Sequence, residues 1–586
     1  MSKESLLVFS IGPVQRFIAA ARKIEDLWSG SYLLSYLTER AIETVREAAN
    51  HRGIRCEIVY PSVNPNGPKP TSEQNIEVAS LPNRFLCTLE ADQLQAAEIA
   101  REAERTVIDS LIEMGQFALN RVFPPEADHA SMTELLNRQV KALLEVFWAT
   151  ESLRKNEDFV RARTQLGKRL AAIKNCRPYR LNAQEGLVCT LCGEQQALTS
   201  TSRQPANQDN YAQMKKNLEE NWSKRGEQFQ TPKVSEGDKK VGRIKDGEGL
   251  CGICLTKRLA RDYFKQKREA KHAFAAFPST HEISGGTKYY AVIMMDGDDM
   301  GKWISGANNI VSETGSTKAD VNIEYQKALS AKLDNFAVKT VPNIVLTKDS
   351  GKQAAGKLIY AGGDDVLAFA PVNSALGIAK NLRLAFSNDA TGLNARATAS
   401  TGIVIAHEKA PLHMVLEYAR KMEGRAKAYQ YPEGKAKDAL GLAVLTHSGE
   451  IREVVLPWAI DGKEYTGADE NCSVSYLQTL IKMVQEQLSV SFMEHFAQAF
   501  LPLLGAALKR NKKISVFPDD PSKNRRLLEL EMTRVLRRSA RDECHDLDFS
   551  LQAHQLIKIH ELMSSTLQFV HLLEMSRFFK RMEGKK

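Results

Sequence analysis

Apolar positions along the chain fall into two periods, one suited to strands and one to helices. Leu6 to Ile11 is a short continuous apolar run stopped by Gly12-Pro13, which predicts a buried strand. Gln15 to Ala49 then carries apolar residues at helical spacing, with an interruption expected near Trp28-Ser29-Gly30. Ile54 to Tyr60 and Arg84 to Leu89 return to strand-like runs, separated by a loop rich in Pro, Asn and Gly, and Asp92 starts a further helix. Strand, helix, strand, strand, helix is the order of a ferredoxin-like unit. Ser131-x-x-Glu134 reads as a capping box opening a helix with Leu135, Leu136, Val140, Leu143, Leu144, Phe147 and Trp148 on one core-facing stripe. The basic residues that follow, Arg161, Arg163, Lys168, Arg169, Lys174, Arg177 and Arg180, suit RNA contact and a solvated helix face equally.

The same order recurs from about Lys288. A strand over Tyr289 to Met295 precedes a helix over Tyr325 to Val338, then strands before and after a Gly-Gly turn near residue 362. A helix capped by Asn373 or Ser374 runs to Phe386, and Ala397 to Ile405 supplies a fourth strand. Leu412 to Tyr429 reads as helix and Ala439 to Leu445 as a later strand. From about Ile451 onward the spacing predicts helices, over Leu488 to Leu508, Arg525 to Arg541 and Leu551 to Phe579. Lys509, Arg510, Lys512, Lys513, Lys523, Arg525 and Arg526 cluster there, suiting an RNA backbone or an acidic partner.

A chain of 586 residues exceeds one ordinary core, and its composition is that of a globular protein. The formal net charge of +9 permits nucleic-acid contact without demanding it. No run of about eighteen apolar residues occurs, and the start leads into a strand instead of a signal peptide, so a cytoplasmic protein without membrane contact is expected. Nine cysteines are an odd count. Four of them form the pairs Cys189-x-x-Cys192 and Cys251-x-x-Cys254, the spacing of two knuckles that share a tetrahedral zinc. Four thiolates leave no open position, so this zinc is expected to be structural. Residues 199–249 between the pairs are mostly polar and read as an insertion. Cys56, Cys87, Cys176, Cys472 and Cys544 have no partner at metal spacing.

Candidate chemistry gathers at two strand ends. Tyr360-Ala-Gly362-Gly363-Asp364-Asp365-Val-Leu-Ala-Phe369 reads as a hairpin whose tip holds two glycines and two carboxylates. Adjacent carboxylates repel unless a cation stands between them, and hard oxygens suit magnesium or manganese. Met295-Asp296-Gly297-Asp298-Asp299-Met300-Gly301-Lys302-Trp303 places a second acidic cluster at the end of an apolar strand. Neither a calcium loop nor a P-loop fits. A calcium loop would need ligands where Met300 and Ala307 stand, and a P-loop needs Ser or Thr where Trp303 follows Lys302. Carboxylates brought from separate strands to one sheet edge suit two-metal phosphoryl transfer, with Asp296, Asp364 and Asp365 as catalytic and magnesium-binding candidates. Asp298 and Asp299 are further candidates, and Gly362 and Gly363 would let a phosphate approach. Lys421, Arg425, Lys427, Lys435 and Lys437 would lie near where triphosphate charge needs neutralising if this region folds back on the hairpin, and each taken singly better suits a solvated basic face. His545-Asp546 lacks the further separated ligands that a metal-dependent nuclease centre needs.

These motifs resemble the palm shared by polymerases and nucleotide cyclases. More narrowly, the chain is similar to the large polymerase-cyclase subunit of type III CRISPR-Cas effector complexes, in the Cmr (III-B) branch. The resemblance is carried by residues 360–369 and 295–303, Phe9 to Ile18 with Asp26 to Ser31, Leu81 to Phe85, and the two cysteine pairs. It implies an α+β fold of two ferredoxin-like palm domains with a zinc-binding helical domain between them. The expected spans are a pseudo-palm over 1–125, the helical zinc domain over 126–285, the catalytic palm over 286–450 and a C-terminal helical domain over 451–586. Where the second palm has Asp296-Gly297-Asp298, the first has Ser10-Ile11-Gly12-Pro13, so it would close over a nucleotide or serve as scaffold. The resemblance further implies an ATP-consuming nucleotidyltransferase in an antiviral complex with guide RNA and other subunits, making cyclic oligoadenylate messengers when target RNA binds. Some relatives instead join AMP to S-adenosylmethionine, and a silent anchoring subunit or a free-standing diguanylate-type cyclase are the other readings. Many relatives carry an HD nuclease domain before the first palm; this sequence opens at the palm, and HD nuclease activity is not expected.

Overall fold

The computed structural model describes residues 4–62, 78–123, 129–153, 159–176, 186–199, 211–223, 244–245, 247–267, 277–310, 319–346, 356–431, 434, 436–460, 472–489, 492, 495–496, 521–544, 548–561, 563 and 566–583. Its contacts divide into two compact units. The first comprises Met1–Ser279, Gly301–Lys339 and Ile359–Gly363, and the second Thr280–Met300, Thr340–Leu358 and Asp364–Lys586.

The first unit runs β1 (Glu4–Gly12), α1 (Gln15–Ala19), α2 (Ile24–His51), β2 (Cys56–Tyr60), β3 (Arg84–Leu89), α3 (Gln93–Val122), α4 (His129–Leu143), β4 (Glu145–Leu153), α5 (Phe159–Asn175), α6 (Tyr211–Trp222) and α7 (Gly252–Lys267). The sheet order is β2-β3-β1-β4, all antiparallel, which is the ferredoxin-like arrangement. β1 is buried along nearly its whole length, so both of its faces are covered, as its unbroken apolar run requires. Asp92 caps α3 as expected, accepting the Gln95 amide at 3.0 Å.

Two expectations for this region are corrected. The helix through Ser131 begins earlier, at His129, and ends at Leu143. Phe147 and Trp148 instead lie on β4, which pairs with β1 from Gly12↔Glu145 to Glu4↔Leu153. The first sheet thus takes its fourth strand from beyond the 1–125 span. A helical stripe of large apolar residues had hidden a strand whose alternation is masked by its half-exposed edge position. The break expected at Trp28-Ser29-Gly30 falls instead at residues 20–23, and α2 runs through Gly30. There α2 packs so close to its neighbours that a Cβ on Gly30 would stand 3.0 Å from the Ile18 Cα. Burial of the surrounding helix, Trp28 above all, offsets the low helix propensity of Gly30.

The chain continues with α8 (Thr280–Ser284), β5 (Tyr289–Gly297), α9 (Met300–Ile304), α10 (Ile323–Asn335) followed by one π-turn, α11 (Val341–Leu346), β6 (Lys357–Gly362), β7 (Asp365–Pro371), α12 (Val372–Phe386), β8 (Ala399–His407), α13 (Leu412–Lys427), β9 (Ala439–Leu445), β10 (Ile451–Pro457) and α14 (Ser473–Glu486). The second sheet has six strands in the order β10-β9-β8-β5-β7-β6. Its β8-β5-β7-β6 part repeats the ferredoxin-like order, and β9 joins β8 in parallel. α12 begins after Pro371 without a side-chain cap, so neither Asn373 nor Ser374 caps it. The helical reading from Ile451 is corrected at its start. Ile451 to Pro457 pairs with β9 through a turn containing Gly449 at φ +87°. Helices Pro521–Arg538, Ser550–Glu561 and Thr566–Glu583 follow. Lys509, Arg510, Lys512, Lys513, His545, Asp546, Arg177, Arg180, Lys435 and most of residues 199–249 lie outside the described residues. Among the described residues, no helix is long and apolar enough to cross a membrane.

Candidate active site

β5 is flanked by β7 and β8, and its last residues face the first residues of both. Met295 pairs with Val366 and Asp296 with Ser400, so Asp296 ends its strand beside the start of β7 at Asp365. Between β6 and β7 the chain turns at Gly363, whose φ of +73° is the left-handed conformation that glycine adopts without steric cost. Asp364 folds over Gly297. A Cβ on Gly297 would stand 2.8 Å from the Asp364 Cβ and 3.0 Å from both its Oδ2 and the Phe386 Cζ. The Gly297 amide also donates to the Asp364 carboxylate. The Asp-Gly-Asp spelling is therefore a packing requirement, because only glycine leaves room for the carboxylate beside it.

Burial sets the electrostatics of this edge. Burial raises the Asp364 carboxyl to about 6, against hydrogen bonds from its own amide and that of Gly297. Asp365 reaches solvent at its outer side but is raised further, to about 7. Burial is the larger cause, the neighbouring Asp364 and Glu423 charges add to it, and Arg420 opposes them. Glu423 is also raised, by burial and then by Asp298. Both Glu423 and Arg420 come from α13, which lies against β8 where a Cβ on Gly402 would meet its backbone at 2.5 Å. Lys427 on the same helix pairs with Asp296 and, at 3.3 Å, with Glu423. Lys437 pairs with Asp299, whose own φ is +56°.

The structure separates Asp298 from its neighbours. Its carboxylate is buried and accepts from Ser400 Oγ at 2.8 Å, Thr398 Oγ1 at 2.9 Å and the Asp438 amide at 3.0 Å. Asp438 in turn accepts from Arg383 Nε at 2.6 Å. Lys421 and Arg425 both turn away to Glu453 on β10. Arg420, Glu423, Arg383 and Asp438 were not among the residues expected from the sequence; the i,i+4 spacing of Glu423 and Lys427 was the available signal.

The donor set at this edge suits a hard divalent cation in kind. It consists of carboxylate oxygens, two of them held above their ordinary pKa chiefly by burial, a shift that a bound cation would oppose. At the corresponding end of β1, Ser10 instead accepts from Lys174 at 2.9 Å and stands opposite Arg84. Of the basic residues on α5, Arg163 donates to the Ile304 carbonyl at 3.1 Å and Arg169 to that of Thr150 at 2.8 Å.

The two cysteine pairs converge. Among the described residues, Cys189, Cys192, Cys251 and Cys254 form the group whose ligand atoms all lie within 4.8 Å of one another. The Cys192 and Cys251 sulfurs are 3.9 Å apart, close to the ~3.8 Å that Zn–S bonds of ~2.3 Å impose on a tetrahedron. Backbone amides of Leu191 and Cys254 each donate to a sulfur at 3.4 Å, closing the knuckles. Beside the cluster, α7 buries two basic side chains. Lys257 Nζ donates to the Phe17 and Ala20 carbonyls, both at 2.6 Å. Arg258 bonds Asp26 at 2.6 Å and Glu248 at 3.0 Å with all three side chains buried. These contacts tie α7, which carries Cys254, to the α1–α2 segment within the same unit.

Comparison with known proteins follows the same division. Residues 289–440 match the family described as Cas10/Cmr2, second palm domain, and residues 6–116 match the N-terminal region of the CRISPR-associated protein Cmr2. The CRISPR system Cmr subunit Cmr2 of Pyrococcus furiosus is 27% identical over 573 residues, covering 78% of this chain and 63% of the relative. The chain therefore spans less than two thirds of that relative's length. Among solved structures, a chain of the type III-B Cmr-beta complex in the apo state is similar with a TM-score of 0.65 and 14% identity, covering 100% of this chain and 82% of that one. A chain of the same complex bound to cognate target RNA gives a TM-score of 0.63 at 14% identity, covering 99% and 83%. At these identities the likeness is one of fold.

Proposed function

We propose, from the matches of residues 6–116 and 289–440 to the Cmr2 N-terminal and Cas10/Cmr2 second-palm families and the likeness to the pyrococcal relative, that this chain is an ATP-consuming nucleotidyltransferase of a type III-B CRISPR RNA-guided complex, making cyclic oligoadenylate messengers when target RNA binds. The observation that carries the reading is the packing of Asp364 over Gly297, which joins the Asp296 strand end and the Asp364-Asp365 turn into one acidic edge. Two divalent ions held by Asp296, Asp364 and Asp365 would lower the pKa of an attacking ribose hydroxyl and neutralise the departing pyrophosphate. At the turn Gly363 has room, a Cβ there meeting nothing nearer than the Leu333 Cβ at 3.9 Å, and would let a phosphate approach backbone, whereas the Tyr360 side chain fills the space at Gly362. Lys427 and Lys437 supply the nearby positive charge that a triphosphate requires. The pyrococcal relative is named as a Cmr subunit, which supports guide RNA, target RNA and other subunits as partners. The four cysteines hold a structural zinc in this reading.

The test is to incubate the assembled complex with ATP or GTP, magnesium and target RNA and to identify products by mass spectrometry. Cyclic adenylates from ATP, dependent on target RNA and absent with Asp364→Ala/Asp365→Ala, are expected. No product from the wild type would remove the enzymatic reading in favour of an anchoring subunit. Unchanged product from the double variant would remove the assigned site.

A further inference from the structure

Two adjacent pairs of residues meet at the acidic edge, one buried and one half-buried. Asp298 and Asp438 are fully buried and joined by the Asp438 amide, which donates to Asp298 Oδ2 at 3.0 Å. Their chain neighbours Asp299 and Lys437 form the ion pair beside them at the surface. Asp438 has every polar group engaged. Its carboxylate accepts Arg383 Nε at 2.6 Å, and its carbonyl accepts the Tyr431 hydroxyl at 2.8 Å and the Trp458 amide at 3.1 Å. The Lys437 amide donates to the Tyr429 carbonyl at 2.8 Å, closing the excursion between α13 and β9. Lys437 and Asp438 have φ values of +71° and +53°. Two successive left-handed residues, neither of them glycine, persist only where surrounding contacts over-determine them. Here those contacts converge on Asp438, while the side chain that the conformation presents to the acidic edge is that of Lys437.

We infer that Asp438 is a positioning residue: its buried pair with Arg383 fixes the left-handed turn and so aims the Lys437 ammonium at the place where a nucleoside triphosphate presents its phosphates. The inference rests on the nucleotidyltransferase reading for its substrate and on geometry for the Asp438–Lys437 link. Lys437 meets charge that the triphosphate carries both before and during reaction, so its loss weakens binding more than turnover.

Asp438→Asn keeps the size and the tolerance for the left-handed region but removes the charge that holds Arg383. Asp438→Asn/Arg383→Gln leaves no lone buried charge and serves where the single variant melts early. In the assembled complex, Asp438→Asn and Lys437→Met should each raise KM for ATP about tenfold with kcat within about twofold. The Asp438→Asn/Lys437→Met double variant should be no worse than either alone. Acetylation of Lys437 by an amine-reactive ester, followed by peptide mass spectrometry, should speed up severalfold in Asp438→Asn. Multiplying KM effects in the double variant, or unchanged Lys437 acetylation, would overturn the inference. A wild type that makes no nucleotide product would defeat the nucleotidyltransferase reading instead, and the acetylation comparison would still decide the positional link.

Discussion

Replacing Gly297 with alanine puts a methyl group where the Asp364 side chain already lies. The new Cβ would stand 2.8 Å from the Asp364 Cβ and 3.0 Å from the Phe386 Cζ. Carbon atoms at rest sit about 3.5–4.0 Å apart, so the shortfall is about 0.5–1.2 Å. Phe386 is a fully buried core side chain on α12 and has nowhere to move, which leaves Asp364 to yield. Gly297 lies outside the left-handed region, so the whole effect is one of packing. Overpacking of this kind costs about 1–3 kcal/mol. In the proposed site, displacing the Asp364 carboxylate by about 1 Å would cost on the order of a hundredfold in rate. The assay is initial rate of adenylate formation alongside thermal melting of the same preparation. Gly377→Ala, on α12 with open space around it, is the control and should gain about 0.5–1 kcal/mol with full activity. Wild-type rates from Gly297→Ala would refute the placement of Asp364 at the reacting centre.

The ionisation of the acidic edge gives a pH dependence. Asp364 and Asp365 are raised to about 6 and about 7, whereas an unfolded Asp titrates near ~3.9. Their contribution to stability is therefore present below about pH 4 and lost as pH rises through 6 to 7. Manganese binds the ionised form, so the melting shift it causes should be larger at pH 8 than at pH 5.5; equal shifts would contradict the site. Metal analysis should find about one zinc per chain, and Cys251→Ser should abolish it and expose the α1–α2 segment to hydrogen exchange. Arg258→Met leaves the buried carboxylates of Asp26 and Glu248 without their cation. It should destabilise the first unit by about 3–5 kcal/mol, seen as a lower denaturation midpoint, and a change below about 1 kcal/mol would show that the network contributes little.

What the sequence disclosed followed from how local each signal was. The Gly363 turn, the Asp296 strand end, the Asp92 cap and both cysteine knuckles depend on neighbours a few residues away, so composition and spacing were enough to place them. β4 and β10 were missed because an edge strand need not be apolar on both faces, and Phe147 and Trp148 fit a helical stripe equally well. Trp28-Ser29-Gly30 looked like a break because its packing partners, Ile18 and Lys257, lie elsewhere in the chain. Asp298 and Asp299 are adjacent and chemically identical, and only the fold distinguishes them. One is enclosed by Ser400, Thr398 and the Asp438 amide, and the other meets Lys437. The Asp438–Arg383 pair spans 55 residues and has no local signature.

The central claim is that Asp296, Asp364 and Asp365 form one nucleotide-metal centre. A density map of the assembled complex with manganese and a non-hydrolysable ATP analogue tests it most directly. The expected map shows manganese bound by these three carboxylates, with Lys427 and Lys437 moved from Asp296 and Asp299 onto the phosphates. A nucleotide bound elsewhere, with both lysine–aspartate pairs intact, would contradict it.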